Sequence, residues 1–189
     1  MKDKGKLIVI SSVSGAGKTT LVRYLLQENP DLVYSISATS RKPRKGEVNG
    51  IDYFFYTKEE FEKKIDKGDF IEWAIVHENY YGTPREFISK NLSNGKNMVL
   101  ILDVYGKYNL NSIHPDSVGI LINPPSMDVL EERLIKRGDD KDTIGLRINN
   151  AKKEIEFSKK EGLYDYFITN DDLDKAKSEL LDIVESILE

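Results

Sequence analysis

Apolar and polar positions follow two rhythms along the chain. Lys6 to Ile10, Met98 to Leu102, Val118 to Ile122 and Tyr166 to Ile168 are short, mostly apolar runs that read as strands buried on both faces. Amphipathic stretches with helical spacing lie between and after them: about Gly17 to Gln27, which turns Leu21, Val22 and Leu25 inward, then Pro84 to Leu92, Ser126 to Lys136 and Leu173 to Leu188. A longer helix is predicted from about Thr143 to Lys160, where Ile144, Ile148, Ala151 and Ile155 share one face. Strand and helix taking turns in this way predicts an α/β fold, a parallel sheet covered by helices.

The rhythm breaks between about Val33 and Thr83. Turn signals at Lys45-Gly46 and Asn49-Gly50 separate strand-like Tyr53 to Tyr56 from Phe70 to Val76, so an inserted β-rich unit is predicted there. One helix interrupts it, because Thr57 followed by Glu60 forms a capping box ahead of Phe61 and Ile65. Neither an internal repeat nor a linker divides the 189 residues, and a single domain is expected.

Composition removes several functional classes. The chain has no cysteine, which excludes thiolate chemistry, and its two histidines, His77 and His114, are too far apart in sequence to suggest a metal cluster; both are expected to be structural. A net charge of −4 argues against nucleic acid as a partner. The longest apolar run, Met98 to Leu102, is far too short to span a bilayer, and no apolar signal segment opens the chain, so a cytosolic location without membrane attachment is expected. Lysine outnumbers arginine 21 to 7, yet five arginines gather in two places, Arg41 with Arg44 and Arg133, Arg137 and Arg147. A guanidinium fork binds phosphate oxygens in pairs, so such clusters suit phosphate sites.

"SVSGAGKTT", residues 12 to 20, joins the first predicted strand to the first helix. Backbone N–H groups from Ser14, Gly15, Ala16 and Gly17 and the positive end of the helix attract phosphate there, with Lys18 to neutralise charge and Thr19, followed by Thr20, to ligate Mg²⁺ beside ATP. The usual pattern G-x-x-x-x-G-K-[ST] has glycine where this chain has Ser12. A positive φ at Ser12 would cost on the order of 1 kcal/mol, so the loop is read as altered at its entrance and competent at its centre. Three further constellations carry chemistry: "SISATSRKPRKGEVNGIDYFFY" with Arg41, Arg44 and Tyr53, "FIEWAIVHENYYGTPREF" with Glu72, and "MVLILDVYG", which sets Asp103 at a strand's C-terminal end. Strand alternation sends Trp73 to the face opposite Glu72, toward core packing.

From Lys6 onward the chain resembles the guanylate kinase family, because "SISATSRKPRKGEVNGIDYFF", "FIEWA", "NYYGTP", "PPS", "RL" with "RG", and "ND" occur in that family's order. The resemblance implies a P-loop kinase that transfers phosphate from ATP to GMP with Mg²⁺. Its core would comprise 1–32, 84–132 and 161–189, its GMP-binding unit 33–83, and its helical lid 133–160. It also implies that Arg41, Arg44, Tyr53 and Tyr81 hold the GMP phosphate, that Ser37, Glu72, Thr83 and Asp103 read guanine, and that Asn170 and Asp171 lie near the donor adenine. Arg133, Arg137 and Arg147 would bind ATP phosphates or stabilise the group in transfer. The chain departs from the family at Ser12, at Tyr105 in place of a common glutamine, and in a lid, "DDKDTIGL", that is one residue shorter before Arg147. Two alternatives use the same motifs: a catalytically weak binding module of this fold, and a kinase with shifted acceptor preference.

Overall fold

The computed structural model describes residues 4–76 and 78–189, so His77 lies outside the described residues. The chain runs β1 (Leu7–Ser12), α1 (Lys18–Glu28), β2 (Val33–Tyr34), β3 (Ala38–Thr39), β4 (Phe54–Phe55), α2 (Lys58–Asp66), β5 (Phe70–Val76), β6 (Asn79–Pro84) and α3 (Arg85–Ser93). It continues through β7 (Met98–Ile101), α4 (Val104–Asn111), β8 (Val118–Asn123), α5 (Met127–Arg137), α6 (Lys141–Lys160), β9 (Tyr166–Thr169) and α7 (Leu173–Leu188).

Five strands form a parallel sheet in the order β2-β7-β1-β8-β9. Its central strand β1 explains its own sequence: Ile8 and Ile10 enter a core with α1, α5 and α7, while Leu7 and Val9 enter a second core with α3. A strand covered on both faces has no use for alternating polarity. Each aliphatic side chain so buried contributes about 1.5–3 kcal/mol. Among the described residues, no helix is long and apolar enough to cross a membrane.

The second sheet, β4-β3-β6-β5, is antiparallel except where β3 meets β4. It packs on α2 through Phe61, whose ring stacks on Phe70 at 4.3 Å and on Tyr80 at 5.2 Å. The capping box forms as its spacing predicts: Thr57 accepts from the Glu60 N–H, and Glu60 accepts from the Thr57 N–H.

Three features differ from the sequence reading. Val33–Tyr34 pairs with β7, so the segment read as opening the inserted unit contributes its first strand to the larger sheet. Trp73 is 46% exposed and makes an edge contact with Tyr80 rather than filling a core. Helix α4 has no counterpart in the predicted elements, because a lysine interrupts its apolar stripe. Val104, Gly106, Lys107 and Leu110 are the positions it buries, and Asp103 caps it by accepting from the Gly106 N–H at 2.7 Å.

Lys107 is 1% exposed and donates to Asn111 Oδ1 at 2.7 Å, to Ser117 Oγ at 2.8 Å and to the Ser117 carbonyl at 3.0 Å. Burial pulls its pKa down from 10.5 to about 8, opposed by Asp165. Between those values the unfolded chain binds a proton that the folded chain has released, so this group makes stability rise with pH in that window. Denaturant titrations from pH 7 to 10.5 should show that rise in the wild type, and the Lys107→Met variant should lose it; equal slopes in the two would contradict the assignment.

Candidate active site

The phosphate loop owes its shape to two glycines and not to its entrance. Gly15 and Gly17 both have φ of 94°, whereas Glu78 is the one non-glycine with positive φ among the described residues. Ser12 therefore lacks the strained conformation that the missing glycine suggests. It is the last, buried residue of β1, paired with Ile122. Gly17 caps α1 without a side-chain acceptor, which leaves the N–H groups of the first turn directed at the cavity mouth.

Neighbours clamp this loop from behind. Asn170 Nδ2 donates to the Ala16 carbonyl at 2.7 Å, and Arg133 Nη2 donates to the Asn170 carbonyl at 2.8 Å. An added Cβ on Gly17 would come within 2.2 Å of Asn170 Nδ2. Both Asn170, which is buried, and Arg133 thus brace the loop in this state, while Asp171 beside them is exposed.

A cavity of about 500 Å³ opens over the loop, lined by Lys18, Thr19 and Thr20 together with Asp103, Arg137 and Glu154. Burial lowers the Lys18 pKa, an effect that the charges of Asp103 and Glu154 oppose. Glu154 has its own pKa raised, first by burial and then by Asp103, with Lys18 acting the other way. The sequence reading passed over Glu154, although its position two helical turns beyond Arg147 on α6 is the signal that could have found it. A larger cavity, about 700 Å³, lies between α2 and α3 around Phe54, Phe70 and Phe87, away from the loop, so volume alone does not locate the chemistry.

Across the cleft, β5 and β6 bring Glu72 and Thr83 together, and the Thr83 hydroxyl donates to Glu72 Oε1 at 2.6 Å. Burial raises the Glu72 pKa, the Thr83 bond lowers it, and nearby Asp103 raises it again. Gly106 permits this closeness, since a Cβ there would stand 3.3 Å from Asp103 Oδ1 and 3.4 Å from Glu72 Cγ. Ser37, half-buried just before β3, accepts through its carbonyl from the Phe54 N–H.

Arg41 is held by a residue that the sequence reading also missed. Glu47 accepts from Arg41 Nη1 at 3.0 Å and Nη2 at 2.9 Å, and from the Arg44 N–H at 2.6 Å. These bonds hold the Glu47 carboxyl below its ordinary pKa. An acidic residue three places after Arg44, just beyond the Lys45-Gly46 turn, was the available signal. The Arg41 guanidinium lies 5.7 Å from the Tyr53 ring centre, and Tyr53 meets Tyr81 edge-on at 6.1 Å. Arg41, Tyr53 and Tyr81 are thus gathered at one place, with the Arg44 side chain exposed beside them. On the opposite side, α5 and α6 hold Arg137 and Arg147 against Asp139, and Arg147 Nη1 donates to Ser14 Oγ at 2.6 Å.

Residues 4–187 match the guanylate kinase family model. The chain belongs to the guanylate kinase family. Similar curated guanylate kinases include that of Caldanaerobacter subterraneus subsp. tengcongensis, 44% identical over 97% of this chain and 88% of the relative. Another, from Wolbachia pipientis wMel, is 46% identical over 97% of this chain and 91% of its own. The crystal structure of guanylate kinase from Anaplasma phagocytophilum superposes with a TM-score of 0.72 at 32% identity, covering 99% of this chain and 88% of that one. Asp103 acts electrostatically on both Lys18 of the phosphate loop and Glu72 of the second sheet.

The loop geometry makes opposite predictions for two neighbouring positions. Ser12→Gly should leave the KM for ATP within about twofold while lowering stability by about 0.5–1 kcal/mol, as glycine does inside a strand. Gly17→Ala imposes a left-handed alanine worth about 1–2 kcal/mol together with the Asn170 clash, and should weaken ATP binding at least about tenfold. Steady-state kinetics and thermal melts of the two variants decide between this account and one in which Ser12 is the defect.

Proposed function

We propose that this guanylate kinase transfers the γ-phosphoryl group of ATP to a phosphate oxygen of GMP, giving ADP and GDP. The observation that supports this reading best is the closeness of two acceptors, Glu72 and Asp103, with Asp103 lining the cavity over the phosphate loop together with Lys18. Guanine offers N1–H and N2–H₂ donors that two carboxylates accept, while the hydroxyls of Ser37 and Thr83 are suited to bond the base. Adenine presents an acceptor where guanine has N1–H, and a buried carboxylate facing it loses its partner. Sites built on such bonds discriminate strongly.

In this reading Arg41, Arg44, Tyr53 and Tyr81 bind the GMP phosphate and aim one oxygen at the donor. Transfer proceeds as that oxygen bonds to the γ-phosphorus while the bond from phosphorus to the β–γ bridging oxygen breaks, leaving ADP. Charge moves onto the bridging and equatorial oxygens, so positioning and neutralisation dominate catalysis. Ser14, Gly15, Ala16 and Gly17 offer backbone donors to the phosphates, and Lys18 offsets their charge. Arg133, Arg137 and Arg147 act from the lid side, and Asn170 and Asp171 border the donor base.

Mg²⁺ fits this donor set, because a hard cation that keeps water and phosphate ligands asks for few protein oxygens, and Thr19 lies exposed at a cavity that Asp103 and Glu154 also line. When bound, it would supply further neutralisation of the triphosphate. The partners in this reading are small molecules alone, in the cytosol.

Purified protein with Mg²⁺ and ATP, assayed by coupled ADP detection, should turn over GMP and leave AMP, CMP and UMP near background. Lys18→Ala should lower that rate at least about a hundredfold, the scale of losing one preorganised charge at the transferring group. Absence of GMP-dependent ADP formation would overturn the reading, and equal use of AMP would overturn its account of base choice.

A further inference from the structure

Helices α5 and α6 meet through a joint of three residues. Gly138 turns left-handed with φ of 90°, Asp139 follows it, and Asp140 caps α6 by accepting from the Thr143 N–H. The Asp139 N–H completes the end of α5 by donating to the Leu134 carbonyl at 3.3 Å, while its carboxylate caps neither helix. Arg137 approaches it from the last turn of α5, Nε donating to Oδ1 at 3.2 Å and Nη2 donating to Oδ2. Arg147 reaches the same carboxylate from the second turn of α6, with Nε 3.3 Å from Oδ2. The carboxylate is sunk between them, its side chain 16% exposed against 47% for Arg137 and 36% for Arg147.

We propose that Asp139 is a positioning residue that presents Arg137 and Arg147 to the donor phosphates as one preassembled pair. This rests on the phosphoryl-transfer reading above, and three observations carry it. First, two guanidiniums placed side by side repel each other unless an anion lies between them, and Asp139 is that anion. Second, the carboxylate engages the Nε edge of both forks. Arg137 Nη1 and Arg147 Nη2 take no protein acceptor among the described residues, so phosphate can bind without displacing Asp139. Third, Arg147 Nη1 already touches Ser14 of the phosphate loop at 2.6 Å, and Arg137 lines the cavity above Lys18. The pair therefore stands where the charge of the transferring group develops. Ordering two long side chains in advance removes that cost from the bound state.

An interhelical staple is the competing account, and kinetics separates it from positioning. Asp139→Asn should lower kcat about tenfold, equivalent to about 1.4 kcal/mol, while the KM for GMP stays within about twofold. Asp139→Glu keeps the charge with a shifted anchor and should fall between Asn and the wild type. In an Arg137→Lys background the Asn substitution should cost much less than it does alone, because its partner is already lost. An unchanged kcat, a loss that adds fully to that of Arg137→Lys, or a parallel rise in the KM for GMP would overturn the proposal. Calorimetry with Mg²⁺ and a non-hydrolysable ATP analogue is independent of turnover: Asp139→Asn should bind about tenfold more weakly. Should the wild type lack GMP-dependent turnover, the functional reading falls while this measurement still decides the role of Asp139, and equal affinities would refute it.

Discussion

The Ala16 carbonyl is the point on which the site is hung. It accepts from Asn170 Nδ2 at 2.7 Å, and Asn170 follows β9, the edge strand of the parallel sheet. Through that bond the far end of the sheet fixes a loop that leaves its central strand, so the direction of the phosphate-binding N–H groups is set by tertiary structure and not by the loop alone. Arg133 extends the brace to α5 by donating to the Asn170 carbonyl. Helix α5 also packs Leu130 and Leu134 against Gly15, whose hydrogen stands where a Cβ would meet Leu130 at 2.8 Å. The requirement for glycine at 15 and 17 thus comes from two sources that agree: a left-handed backbone and close neighbours.

The charges obey a second constraint. In the proposed reading an acidic chain binds phosphate-rich substrates with cations that are already partnered. Glu47 holds Arg41, Asp139 holds Arg137 and Arg147, and Asp103 and Glu154 sit near Lys18. These pairs are partly buried, with Arg41 and Glu47 at 16% and 20% exposure and Asp139 at 16%, so their attraction is set against a desolvation cost. Their benefit is geometric, because a guanidinium tied along one edge keeps its remaining donors in a fixed direction. Partly buried Lys18 is different: desolvation lowers its pKa, and the carboxylates of Asp103 and Glu154, which line the same cavity, favour its charged form.

The sheet was legible because its strands are buried on both faces, and residues that never see water need no polar alternation. The paired caps were legible too, since Thr57 and Glu60 act within one turn. Helix α4 was hidden because a buried lysine takes an apolar position, and nothing local reveals that Asn111 and Ser117 accept its hydrogen bonds. Motif order pointed to Arg41 and Glu72, yet their holders Glu47 and Thr83 differ in visibility: Thr83 lies inside a motif, whereas Glu47 becomes meaningful only once the turn folds it onto Arg41. Ser12 shows the opposite failure. A pattern written in glycines suggested strain, but the backbone at that position is a strand end, and strand ends accept serine.

Asp103 shows why the acceptor and donor halves of the cleft are not independent. It stands just beyond β7, spends one oxygen capping α4, and acts electrostatically on Glu72 in the inserted sheet and on Lys18 in the phosphate loop. In the proposed reading, accepting N–H groups from guanine would satisfy this carboxylate and spread its charge, reducing the support it gives to Lys18. An arriving triphosphate then meets a cation less compensated by protein and more available to phosphate. The same step relieves repulsion between Asp103 and Glu72, whose pKa is raised partly by that proximity. Binding at the base is thereby linked to charge at the phosphates through one side chain, with α4 as its rigid mount, and linkage of this kind acts equally in both directions.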